Sequence, residues 1–264
     1  VSGEGGETVS GSKAGMIEHL RKRMAEIPAR SVGPARPSLS ALTCAKTEQS
    51  IPELVAHPSP IRTLPVPGPL AELLPHRGLA RGSTLRLDGV SSLRTGLLAS
   101  VTGSGGWAAV VGSPTLSLLA AVEMGADLRR IAVIQDPGSD PVAVAAVLAD
   151  GIDFVLLSLA GADVPPSRAR SVTARCRRSG TVLAFTYGRW PTADLHLDAR
   201  ITAYHGIEPG YGRITGVDLE VRATSRGQQP RRRTVTLAGR GGRVDWSTAA
   251  VDQDAGAAPL RVAQ

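Results

Sequence analysis

Leu85-Arg-Leu-Asp88 runs into Gly89-Val-Ser-Ser-Leu-Arg-Thr-Gly96, and the reading of this junction decides the fold. The residues before it predict a strand at 83–87 and those after it a helix at 92–101. A strand that turns through glycine into a helix is the setting of a phosphate-binding loop, because a helix N-terminus presents unpaired N–H groups to an anion.

Outward from the junction, apolar runs and helical patterns alternate. A short helix is expected near 70–74. Strands are expected at 107–111, 131–134, 152–157 and 181–185, with helices at 115–124, 141–150 and 167–178 between them. Strands alternating with helices of this length imply right-handed crossovers and a parallel sheet covered on both faces. After residue 193 the period changes to two, and 195–204, 214–223 and 234–237 read as antiparallel strands. The fold class expected is therefore α/β: a mainly parallel sheet flanked by helices, antiparallel strands at the C-terminal edge, and a mobile N-terminal arm. The segments are a disordered tail (1–12), an amphipathic helix (13–27), a proline-rich linker (28–69), the core (70–246) and a flexible tail (247–264).

Composition agrees with one such core. Of 264 residues, 42% are hydrophobic and only 3% aromatic, so Leu, Val, Ile and Ala must fill the interior. The formal charge is +7, the isoelectric point is near 10.2, and lysine occurs only at Lys13, Lys22 and Lys46. Such a balance favours an acidic partner, although an arginine-rich codon bias gives the same skew. Cys44 and Cys176 lack metal-ligand spacing, and the uncharged stretch 95–122 is interrupted by Gly103, Gly105, Gly106, Gly112 and Pro114. A cytoplasmic, nucleoid-associated protein without a membrane span or metal site is expected.

The junction also carries a family resemblance. Gly78-Leu-Ala-Arg-Gly82, the strand after it and Gly89-Val-Ser-Ser92 look like the entry to the RecA/RadA ATPase core. Residues 121–136 resemble the segment joining its second and third core strands, and Gly151-Ile-Asp-Phe-Val-Leu-Leu-Ser158 stands where that core has its Walker B strand. The matched chemistry is missing. A phosphate loop needs Gly-Lys-Ser/Thr at the helix start, where lysine meets the β and γ phosphates and the hydroxyl binds magnesium. Here stand Arg94, Thr95 and Gly96; Ser158 replaces the Walker B aspartate, and Gly112-Ser-Pro114 falls where the catalytic glutamate belongs. The two DNA-facing loops of a recombinase shrink to 160–166 and 187–191. No catalytic residue and no cofactor are expected; Gly89, Ser91, Ser92, Arg94 and Thr95 mark a degenerate nucleotide site.

Over residues 65–246 the ordered series of degenerate landmarks resembles the actinobacterial ImuA-prime family, the RecA-like accessory factor of the mycobacterial mutasome. The resemblance implies a non-enzymatic accessory or scaffold role in SOS-induced, error-prone translesion synthesis. The implied partners are a catalytically inactive Y-family polymerase homologue of the ImuB type and, directly or indirectly, a C-family polymerase, with DNA an optional contact. Two other readings stay open: an SOS cell-division inhibitor with a RecA-like fold, and a regulator that binds ATP without hydrolysing it. Candidate contact residues are Arg226, Arg231, Arg232 and Arg233 in an exposed basic hairpin tip, which also reads as a solvated turn. Trp246 is expected either to anchor an interface from the tail or to close the sheet edge. The arginine-rich helix at 167–178 and the N-terminal helix are further candidates.

Overall fold

The computed structural model describes residues 61–208, 211–249 and 260–261. The expected tail 1–12, helix 13–27, most of the linker 28–69 and most of the C-terminal tail lie outside them. A two-residue pairing of β1 (Thr63–Leu64) with β2 (Leu79–Ala80) encloses the short helix α1 (Gly68–Ala71). The main sheet follows: β3 (Thr84–Gly89), α2 (Ser91–Gly103), β4 (Ala108–Val111), α3 (Leu118–Glu123), β5 (Ile131–Ile134), α4 (Pro141–Leu148), β6 (Phe154–Ser158), α5 (Pro166–Ser179) and β7 (Val182–Thr186). Four antiparallel-linked strands then extend it, β8 (Leu195–Glu208), β9 (Tyr211–Ser225), β10 (Arg231–Arg240) and β11 (Arg243–Thr248). The strand order is β11-β10-β9-β8-β3-β7-β6-β4-β5, and β12 (Leu260–Arg261) pairs with β8. The strand at the phosphate-loop position, β3, is separated by one strand, β7, from β6 at the Walker B position. This is the α/β class read from the sequence, a mainly parallel sheet flanked by helices with antiparallel strands at one edge.

The chemistry of the core explains the layering. Strands β4, β6 and β7 are buried along their whole length, as continuous runs such as Phe154-Val-Leu-Leu-Ser158 require when helices cover both faces. One face packs Leu93, Leu97 and Leu98 of α2 on Leu85, Leu87 and Leu156; the other packs Val142, Val172 and Cys176 on Val155, Leu157 and Leu183. In β8 to β10 the buried residues alternate, Leu197 and Ala199, Leu219 and Val221, Val235 and Leu237, and all belong to the α2 side. The C-terminal strands thus bury one face only, and that face covers α2. Nine of the thirteen residues of α2 are buried for this reason.

Two features depart from expectation. Strand β8 is parallel to β3 and antiparallel to β9 and β12, since alternation reports a half-exposed face and not a strand direction. The β7–β8 crossover consists of residues 187–194 alone, without a helix. Trp190 in this crossover is buried and stacks on Phe185, with ring centroids 5.5 Å apart, so one indole covers sheet that a crossover helix usually covers. A further strand, β11, carries Trp246 and continues to Thr248, where the sequence points to a loose tail. No helix among the described residues is long and apolar enough to cross a membrane.

Candidate functional site

At the junction the strand passes into the helix with one residue, Val90, between them. Gly89 has φ +82, and a Cβ there would lie 1.9 Å from the Ala199 carbonyl oxygen, so the neighbouring strand β8 admits only glycine. The Val90 N–H donates to the same oxygen at 3.1 Å. A phosphate loop needs a run of free backbone N–H groups curled around the anion. Here the chain has no such run, because strand pairing extends to the last residue before the helix cap.

The side chains are equally committed. Thr95, buried, donates its hydroxyl to the Ser91 carbonyl at 3.0 Å within its own helix. Arg94, 8% exposed, folds back over the end of β3: Nη2 donates to the Tyr187 hydroxyl at 2.9 Å and Nη1 to the Gly89 carbonyl at 3.5 Å. Its guanidinium carbon lies 5.1 Å from the Tyr187 ring centroid, a cation–π distance. Tyr187 achieves this from φ +53, a region bulky side chains rarely adopt. Ser91 is exposed and Ser92 half-buried, and Val90 offers the helix no side-chain cap.

Ser158, buried at the end of β6, lies beside Gly112 at the end of β4 and opposite Thr186 on β7. The three strand ends where magnesium and water would be held thus present one glycine and two hydroxyls. The two shortened loops are tied to each other. The Val164 N–H donates to the Arg189 carbonyl at 3.1 Å, and the Arg189 N–H to the Ala162 carbonyl at 3.0 Å.

Comparison with known proteins places this arrangement. Residues 72–192 match the family model described as MT3502 N-terminal domain. The uncharacterized protein Rv3395c of Mycobacterium tuberculosis (strain ATCC 25618 / H37Rv) is 50% identical over 155 residues, which span 56% of this chain and 76% of that protein. The chain belongs to the MT3502 family. Among solved structures, the KaiC-like protein PH0186 from Pyrococcus horikoshii OT3 aligns with 71% of this chain and 100% of its own, at a TM-score of 0.48 and 11% identity.

The MT3502 match contains the junction, the tied loops and the crossover as far as Thr192, and ends before β8. The other candidate residues fall on both sides of that limit. Arg231 and Arg232 are exposed on β10, and Arg232 faces Arg222 across the β9–β10 pair. Arg233 is engaged structurally, 2.5 Å from Glu72 and 3.3 Å from the Thr248 hydroxyl. Trp246 is not part of an exposed tail: it lies half-buried on β11, against the core and over Gly96, where a Cβ would stand 2.4 Å from its Cζ2. From this edge strand the indole packs over α2.

The basic helix divides into two stripes. Arg168 pairs with Asp140 and Arg175 with Asp150 at 2.9 Å, locking α5 to the two ends of α4. Asp140 is held below the usual carboxylate range by Arg168 and by the Ala143 N–H. Arg170 and Arg177 point elsewhere, into a groove that Arg226 also lines. Sequence reading brought neither Arg170 and Arg177 to Arg226 nor Tyr187 to Arg94; the only signal for the latter was an arginine beside a degenerate loop.

Sequence reading also missed the exposed rim of the sheet. Five of the ten large apolar side chains exposed among the described residues, Leu119, Val122, Leu128, Val133 and Val147, fall in the stretch that builds edge strand β5 and its connections. Strand β5 pairs with β4 on one side only. The Ile134 carbonyl accepts from Gly112 N at 2.9 Å, so Ile131 and Val133, alternating with it, turn their backbone groups outward.

Proposed function

We propose that this chain is a non-enzymatic accessory scaffold in error-prone translesion DNA synthesis, acting by contact with an inactive Y-family polymerase homologue of the ImuB type. One observation carries the non-enzymatic part: the end of β3 meets α2 through Val90 alone, and Arg94 and Tyr187 close over it. Neither the loop that wraps phosphates nor a lysine, aspartate or glutamate at the three positions that turn ATP over is present. The translesion assignment rests on the ImuA-prime resemblance of residues 65–246.

The contact surface assigned to the polymerase homologue is the β5 edge. Natural sheets blunt free edges with lysine, proline or charge, whereas Ile131-Ala-Val-Ile134 is uniformly apolar. An extended apolar segment of the partner adds there as one more strand, its backbone satisfied by Ile131 and Val133 and its side chains by the exposed leucines and valines around the edge. A C-family polymerase joins through that partner.

Titration of the purified chain with ATP and magnesium, alongside a turnover assay, tests the non-enzymatic reading. No saturable binding in the micromolar range and no phosphate release are expected. Magnesium-dependent binding at low micromolar concentration would instead favour the regulator that holds ATP unhydrolysed, with Arg94 released from Tyr187.

A further inference from the structure

A groove of about 420 Å³ runs between α5 and the helix-free crossover, away from both the degenerate phosphate junction and the β5 edge. Its helical wall presents Arg170, Thr173 and Arg177, its opposite wall Trp190 to Thr192 with Asp194, and Arg226 reaches it from the turn after β9. The one carboxylate in it is already engaged. Asp194 Oδ2 accepts from the Thr84 N–H and hydroxyl, both at 2.8 Å, and Oδ1 lies 3.6 Å from Arg177. Arg170 and Arg226 have no acceptor among the described residues. The groove therefore holds three guanidiniums against one anchored carboxylate, over a floor that includes Ala169, Pro166 and Trp190.

We infer that this groove binds an acidic peptide segment of a partner protein in the polyproline II conformation, with carboxylates at positions i and i+3 on Arg170 and Arg177 and Arg226 closing over the chain. The spacing supports this ligand. Seven residues of α-helix separate the two arginines by about 10 Å, and three residues of a polyproline II chain span about 9 Å and return the side chain to the same face. An apolar residue between the two acids meets the alanine and tryptophan floor. The aromatic content argues against single-stranded nucleic acid, because Trp190 is buried and committed to Phe185 and leaves no ring for a base to stack on. The division of α5 into stripes gives the same answer: Arg168 and Arg175 hold the fold together through aspartates of this chain, while Arg170 and Arg226 are left for another. The inference does not depend on the identity of the partner at β5.

The test uses the full-length chain and two fluorescein-labelled octapeptides, Gly-Ser-Glu-Ala-Leu-Glu-Ser-Gly and its isomer Gly-Ser-Ala-Glu-Glu-Leu-Ser-Gly, followed by fluorescence anisotropy at low ionic strength. The first peptide is expected to bind saturably and the isomer several-fold more weakly. Arg170→Glu and Arg226→Glu are each expected to weaken binding about tenfold or more, while Arg178→Glu, the same charge change on the same helix outside the groove, leaves it unchanged. Circular dichroism melts establish that the variants remain folded, as expected of arginines without partners. The inference is overturned by no saturable binding, by equal binding of the two peptides, by an equal loss in Arg178→Glu, or by an oligothymidine that binds in place of the peptide and is lost in the same variants.

Discussion

Replacing Gly96 by alanine tests whether the C-terminal strands fold over α2. In the intact chain the new methyl lies 2.4 Å from Trp246 Cζ2, inside van der Waals contact, and the indole is flanked by β10 through the Leu237–Trp246 pair. Overpacking of this kind costs about 1–3 kcal/mol, while removing glycine from a helix interior returns about 1 kcal/mol. The net effect of Gly96→Ala alone is a destabilisation of about 0–2 kcal/mol. Trp246→Ala removes a half-buried indole and costs about 2–3 kcal/mol, below the full-burial figure. In that background the clash has gone, so Gly96→Ala becomes stabilising by about 1 kcal/mol. Urea unfolding of the four chains therefore gives a coupling of about 1–3 kcal/mol, far beyond the few tenths expected of independent sites. An additive cycle would refute the packing of β11 on α2.

Three other outcomes follow from named contacts. Tyr187→Phe removes the hydroxyl that accepts from buried Arg94 and is expected to lower unfolding stability by about 1–3 kcal/mol without creating ATP affinity; an unchanged urea midpoint would contradict the closure over the junction. Burial raises the Asp153 carboxyl, but the Trp107 N–H and Arg81 guanidinium outweigh it and hold the group below its ordinary value. A depressed native value means stability present above the unfolded carboxylate value and lost as pH falls through the native one. Asp153→Asn should therefore flatten the acid limb of a stability-against-pH profile, and an identical limb would refute this role. Burial pushes the Cys176 thiol up to about 11, so in a Cys44→Ser chain iodoacetamide at neutral pH should modify Cys176 only after denaturant is added.

How much of this was legible in the sequence depends on the range of the interaction. The crossovers from 84 to 186 follow from local alternation of apolar strands and helices, and their order was read correctly because each buried run carries its own signal. The strand-to-helix junction itself was legible too, since Gly89 stands between an apolar strand and a helix. What was not legible lies across long separations. The Tyr187 ring reaches Arg94 over 93 residues from a backbone conformation no sequence pattern announces. Trp246 was read without β11 because Arg243-Val-Asp-Trp-Ser-Thr248 is short and mixed, and becomes a strand only by pairing with β10. The arginines of α5 look alike in sequence, and only the fold separates those that hold α4 from those that face the groove.

The edge strand sets the most direct test of the scaffold account. A chain cut after residue 225 would lose β10 and β11, two of the strands that cover α2, so a point change is the better instrument. The measurement is binding of the purified full-length chain to the Y-family polymerase homologue from the same genome, without nucleotide, comparing the native sequence with Val133→Lys on the open edge of β5. The account predicts saturable, nucleotide-independent binding that the lysine weakens about tenfold or more while the melting temperature is unchanged. Absence of binding by the native chain, binding that requires ATP, or equal binding by both chains would contradict it.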